Sequence, residues 1–103
     1  MDVTVVRYKT WPDRADENQA LIEKVFAELA VSTPEGVRYA TFRLEDGVSF
    51  VHMAEITTDD GTNPLTEVPA FKAFGAGIGD RCEEKPVVSG ATMVGGYNFW
   101  PDD

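Results

Sequence analysis

The chain has 103 residues, 43% of them hydrophobic, and a formal net charge of −9 from 18 acidic and 9 basic side chains. That length fits one domain, whose single core would bury only about two thirds of the unfolded surface, so burial in an oligomer would help it. The charge and the lack of any basic run argue against nucleic-acid or anionic-membrane partners, and the apolar content argues against disorder.

The first strand is expected over Val3 to Lys9. MDVTVVRYK alternates polar and apolar residues and lacks the basic start and apolar run of a secretory signal. Trp11-Pro12 ends the strand, because proline donates no ladder bond and restricts the residue before it. A helix follows to about Ala30, capped by Asp13 or Asp16, with Asp16 and Gln19 at capping-box spacing. Ile22, Val25, Phe26 and Leu29 fall at i, i+3, i+4 and i+7 and form its apolar stripe. Thr33-Pro34-Glu35-Gly36 is a stop and a turn.

A hairpin comes next, Val37 to Leu44 against Val48 to Ile56. Asp46-Gly47 suits a two-residue type I′ turn, and with those two residues as the turn Glu45 faces Val48 and the pairing continues outward in that register. One face then carries Phe42 opposite Val51, Ala40 opposite Met53 and Arg38 opposite Glu55. The other carries Arg43 opposite Phe50, Thr41 opposite His52, Tyr39 opposite Ala54 and Val37 opposite Ile56. Alternation keeps the two sets apart. The first, aliphatic face is expected to lie under the helices. The second, aromatic and polar, is expected to be a solvated surface with scattered rings, a subunit interface or a cavity wall.

Thr57 to Pro64 is a polar loop, and its Asp59, Asp60 and Asn63 fail the spacing of a calcium loop. A second helix is expected from near Leu65 or Val68 to about Cys82, with Val68, Phe71, Gly75, Ile78 and Cys82 inward. Gly75, Gly77 and Gly79 within it each cost ~1 kcal/mol relative to alanine. They imply a broken helix or a mobile lid, and they do not match a dinucleotide fingerprint. Cys82 is the only cysteine, so no intrachain disulfide forms, and one histidine cannot complete a Cys/His zinc site within the chain. No metal site is expected. Glu83 to Pro86 is a connector, Val87 to Tyr97 the last strand, and Asn98 to Asp103 a tail carrying Phe99 and Trp100. Residues 1–97 thus form the single domain. No apolar stretch approaches the ~20 residues of a membrane span, and a cytoplasmic location is expected.

This order, β-α-β-β-α-β, predicts an α+β ferredoxin-like fold: a four-stranded antiparallel sheet with both helices on one face, as right-handed crossovers require. The other sheet face would be bare, and pairing the sheet faces of two copies would cover it. The order, the length, and the DGVSFVHMAE strand followed by NPL and the FKAF helix resemble the dimeric α/β-barrel superfamily. The nearest likeness is to small antibiotic-biosynthesis-monooxygenase-like proteins. The resemblance implies a homodimeric barrel. For some members it implies oxidation of aromatic polyketides with neither metal nor flavin, and for others haem degradation. Characterised monooxygenase members use an asparagine, a tryptophan and a histidine or tyrosine around the cavity. Here the first strand offers Arg7 and Tyr8, and the second helix Phe71 and Phe74.

His52 is the candidate general base, titrating near neutral pH if unshifted, oriented by Thr41 and flanked by Phe50 and Arg43. His52 or Tyr8 would help deprotonate a phenol. Arg43 and Arg7 are candidates to hold the resulting anion. Tyr39, Phe50, Phe71 and Phe74 are candidates to line a pocket for a flat aromatic molecule. The plain alternatives are an inert interface histidine, surface-paired arginines and core rings. Two functions stand side by side: a cofactor-independent monooxygenase of an aromatic substrate, and a non-catalytic homodimeric ligand-binding or accessory protein. Haem degradation comes third, since only His52 could ligate iron.

Overall fold

The computed structural model describes residues 2–99. In chain order it has β1 (Asp2–Thr10), a 3-10 turn at Pro12–Arg14, α1 (Ala15–Ser32), β2 (Val37–Arg43) and β3 (Ser49–Ile56). A second 3-10 turn at Pro64–Glu67 leads to α2 (Pro69–Ala76), α3 (Ile78–Arg81) and β4 (Cys82–Thr92). The strands form one antiparallel sheet in the order β2-β3-β1-β4. The helices pack on one face of it, which is the expected ferredoxin-like α+β arrangement.

The period of α1 explains its seat. Ile22 and Val25 are buried, and Phe26 and Leu29 pack against the core. The helix stops where Thr33 enters the left-handed region at φ 42° and returns its N–H to the Leu29 carbonyl at 2.8 Å. The capping box does not form. Asp16 Oδ1 and Gln19 Oε1 instead accept from Arg43 Nη1 at 3.1 and 2.7 Å.

The hairpin register is as expected, from Val37 against Ile56 to Arg43 against Phe50. Its turn is not type I′. Gly47, at φ 78°, takes positive φ but Asp46 does not, and Gly47 N–H bonds the Leu44 carbonyl at 3.0 Å. Leu44 N–H closes the loop on the Ser49 carbonyl at 2.8 Å. The Asp46 carboxylate holds this longer loop, accepting from the Val48 and Ser49 N–H groups and the Ser49 hydroxyl at 3.0, 2.8 and 2.6 Å. One residue added to the loop on each side leaves the pairing unchanged.

The second helix breaks at Gly77 into α2 and α3. Val68, Ala70 and Phe74 are buried, whereas Gly75 is exposed, so Phe74 takes the inward place expected of that glycine. The last strand starts at Cys82 and ends at Thr92 rather than running from Val87 to Tyr97. Glu83 to Pro86 belongs to it because β4 is an edge strand, where a proline and solvated charges are tolerated. Lys9 Nζ meets Glu83 and Glu84 there at 3.7 and 3.9 Å. Met93 to Phe99 follow as an irregular segment bordering a groove with Val3, Val5 and Met53. The expected Trp100 to Asp103 part of the tail lies outside the described residues.

The two sheet faces are the reverse of the expectation. Tyr8 and Phe50 are in the core under the helices, with Tyr39 packed against them, and His52 is buried. Phe42, on the other face, is 44% exposed. The reason lies in β1. Arg7 pairs with Val51 and Lys9 with Ser49, so both cations share the face of Phe42, Val51 and Met53. Helices laid there would bury two charges. The aromatic face can be buried because its polar atoms bond one another.

Candidate functional site

Strand alternation sets out the site. Val6 faces His52 across β1 and β3, and Thr41 faces it across β2 and β3. Tyr8 and Tyr39 lie diagonally to either side, within reach of an aromatic side chain. Tyr8 Oη is 2.7 Å from His52 Nε2. Tyr39 Oη is 2.6 Å and Thr41 Oγ1 3.1 Å from His52 Nδ1. From α1, Asn18 Nδ2 donates to Tyr8 Oη at 2.9 Å. From α3, Arg81 Nε donates to Asn18 Oδ1 at 3.0 Å and its Nη2 to the Phe74 carbonyl at 2.7 Å. A continuous hydrogen-bonded chain therefore runs from Arg81 through Asn18, Tyr8 and His52 to Tyr39. Its first four members are each at most 5% exposed.

Burial dominates the electrostatics. It pulls the His52 imidazole down from 6.5 to about 4, so the ring is neutral at pH 7. It pushes the Tyr8 phenol well above its ordinary value, only partly offset by the Asn18 hydrogen bond, with the neighbouring Tyr39 adding to the rise. It raises Tyr39 too, against the Thr41 hydrogen bond. Burial lowers Arg81. The Cys82 thiol is raised by burial, which makes it the packed small hydrophobe expected.

A cavity of about 310 Å³ lies between the sheet and the α2–α3 segment. Tyr8, Tyr39, His52, Phe71 and Phe74 line it, with Val6, Leu65, Ile78 and Pro86 among the apolar remainder and Asn63 adding an amide. Rings surround it: Phe71 meets Tyr39 edge-on at 6.1 Å, and Phe74 is 5.3 Å from the His52 ring. Five of the residues singled out from the sequence thus meet in one place. Phe50 stands behind it, 1% exposed and stacked on Tyr8 at 5.5 Å.

The arginines do not join them. Arg43 lies over Phe50 at the hairpin end, bonded to the Gly47 carbonyl, Asp16 and Gln19. Arg7 lies on the opposite sheet face, beside Lys9, Val87 and Ser89. The arginine that does reach the cluster is Arg81. Sequence reasoning passed over it and Asn18. Asn18 carried a signal, as a polar residue four before Ile22 on an apolar stripe. Arg81 carried none, because the break at Gly77 decides where it points.

Among the described residues no group of three or more His, Cys, Asp or Glu side chains could hold a metal ion. Both His52 nitrogens are engaged, so binding a haem iron there would break the hydrogen-bonded chain.

No protein-family model and no curated protein matches the chain. Solved structures do. One is Rv0793 from Mycobacterium tuberculosis, 16% identical, with a TM-score of 0.71 over 92% of this chain and 96% of that one. Another is a provisionally named antibiotic biosynthesis monooxygenase from Caulobacter crescentus CB15, 24% identical, with a TM-score of 0.69 over 91% and 90%. A third is the N63A mutant of SnoaB, a cofactor-independent oxygenase from Streptomyces nogalater, 19% identical, with a TM-score of 0.64 over 92% and 95%. The chain shares their fold. Two of those neighbours carry oxygenase names.

Proposed function

We propose that this protein takes a flat aromatic molecule with an ionisable hydroxyl into the cavity and oxidises it with O2, as a cofactor-independent monooxygenase. One observation carries the reading: an apolar, ring-lined cavity contains the Tyr8–His52–Tyr39 array and little other polar surface. In that array Tyr8 Oη takes the proton of the substrate hydroxyl as its own proton passes to His52 Nε2. The imidazolium keeps its Nδ1–H on Tyr39. The Tyr39 O–H donates to the substrate anion, the role expected of Arg43 or Arg7 from sequence. An imidazolium is unfavourable in this buried site alone, and the substrate anion beside it offsets that cost. The anion then supplies electrons to O2. One oxygen atom becomes a ring carbonyl in place of a methylene, and the other leaves as water with that carbon's two hydrogens.

Oxygen uptake with hydroxylated anthrones and naphthols tests this. Wild type should consume oxygen, and Tyr8→Phe and His52→Ala should each lose at least about 100-fold, the usual span of acid–base contributions. Uptake unchanged in both variants, or absent from wild type, refutes the chemistry. A second reading, non-catalytic binding, is favoured by His52 having both nitrogens satisfied and its ring neutral. It is identified by fluorescence-detected binding of the same phenols without uptake.

The assembly belongs to the same proposal. The Phe42, Val51, Met53 and Val87 face, free of helices, pairs with a second copy, residues 1–97 being the domain that does so. Sedimentation at micromolar concentration should show twice the 11.3 kDa chain mass, and a single-chain species refutes it. No helix among the described residues is long and apolar enough to cross a membrane. The proposed place of work is the cytoplasm.

A further inference from the structure

We propose that Arg81 and Asn18 are positioning residues that impose one proton order on the whole buried chain. In that order His52 carries its hydrogen on Nδ1, and the Tyr39 O–H is left for a ligand oxygen. This rests on the cavity being the working site, and it names what selects the site's active form.

Arg81 is the member of the chain with no choice of role. A guanidinium has five N–H donors and no acceptor. Arg81 Nε therefore donates, at 3.0 Å, and the Asn18 atom facing it must be the carbonyl oxygen. The amide orientation, often ambiguous, is fixed here by its partner. Asn18 Nδ2 then faces Tyr8 Oη at 2.9 Å and donates to it. Among the described residues His52 Nε2, 2.7 Å away, is the acceptor within reach of the Tyr8 hydroxyl hydrogen, so we infer that Tyr8 donates there and Nε2 is unprotonated. A neutral imidazole holds one hydrogen, so it sits on Nδ1 and points at Tyr39 Oη, 2.6 Å away. Tyr39 accepts there, and its own hydrogen is turned from the ring, toward Thr41 Oγ1 or the cavity. Tyr39 lines the cavity, so a ligand atom meeting that hydrogen must bring a lone pair. A carbonyl or an ionised phenol qualifies, and an ammonium group does not.

Two further features fit. Arg81 is 3% exposed, and its head is held by the Phe74 carbonyl and lies 5.2 Å from the centroid of the Phe74 ring. Among the described residues no carboxylate lies within ion-pair distance of it. The Glu17 carboxylate acts on it only through space, and a buried cation held without a contacting counter-ion is costly to keep. Its positive charge lies behind Asn18 and Tyr8, where it favours an electron-rich oxygen. Gly77 makes room for it: a Cβ there would come 3.0 Å from Arg81 Nη1. The glycine-rich stretch is thus tied to the seat of the arginine.

The test is nitrogen NMR of the His52 ring in the ligand-free full chain at pH 7, which needs no substrate. Wild type should show the Nδ1–H tautomer in at least about tenfold excess. Asn18→Asp keeps the shape and pairs with Arg81, but it presents only acceptors to Tyr8. The Tyr8 O–H then turns to the carboxylate, and Nε2 must donate to Tyr8. The major tautomer should invert to Nε2–H. A merely structural role for Asn18 predicts no inversion. Arg81→Gln, which can donate or accept, should give both tautomers in comparable amounts. Wild type in the Nε2–H form, or either variant retaining the wild-type tautomer ratio, overturns the proposal. Wild type alone suffices should the variants fail to fold. Failure of oxygen uptake does not move any of these results, and an Nε2–H wild type leaves the cavity itself intact.

Discussion

Lowering the pH from 7 to 5 should remove about 2 kcal/mol of stability through His52 alone. Burial holds this imidazole at about 4 in the folded chain, against 6.5 for the free group. The unfolded chain takes up its proton as pH falls through 6.5, and the folded chain resists until about 4. The folded pKa is depressed, so the contribution is fully present above 6.5, is lost as pH falls, and is gone below 4. Each unit of pKa difference is worth about 1.36 kcal/mol, and the interval from pH 7 to 5 captures most of one and a half units. The assay is urea unfolding of wild type and His52→Gln at both pH values, with the slope against urea held common. Glutamine does not titrate, so the wild-type minus variant difference isolates His52. Ordinary carboxylates stay mostly ionised at pH 5, and Asp46, held at about 2 by Ser49 and the Val48 and Ser49 amides, stays so further down. A difference that does not change between the two pH values refutes the reasoning, as does an imidazole NMR titration with its midpoint near 6.5.

Tyr8→Phe should destabilise the fold by about 2–6 kcal/mol, because it leaves Asn18 Nδ2 and His52 Nε2 buried without their partner, at about 1–3 kcal/mol each. Chemical denaturation checks it, and a loss below that of Tyr39→Phe would contradict it. Gly36→Ala should cost at least about 2 kcal/mol, combining a φ of +80° with a Cβ placed 2.6 Å from Thr58 Cγ2. Gly47→Ala, with a similar φ and open space, should cost about 1 kcal/mol. Thermal melts of the pair giving equal losses would show that the contact with Thr58 does not matter.

Much of this molecule can be read along the chain. Ile22 and Val25 face inward because 3.6 residues make a helical turn, and the 37–56 pairing follows from a symmetric loop between two strands. The element order, the hairpin register and the α1 stripe are local or periodic properties, so the sequence by itself determined them. Tyr8, Tyr39 and His52 could be nominated because rings and an imidazole at alternating strand positions share a face, and Phe71 and Phe74 as rings on the second helix. Which face the helices cover is not local. It depended on β1 lying beside β3 in a register that puts Arg7 opposite Val51, on the side the helices leave open. The turn type was decided by the Asp46 carboxylate reaching three donors, a competition that dipeptide preference does not weigh. Arg81 and Asn18 are 63 positions apart and meet only because α2 breaks at Gly77 and α3 turns the guanidinium inward. Their bond, and with it the order of the hydrogen-bonded chain, was decided by tertiary structure alone: direction in a buried chain is set by its fixed donor, and sequence spacing does not say which side chains will touch.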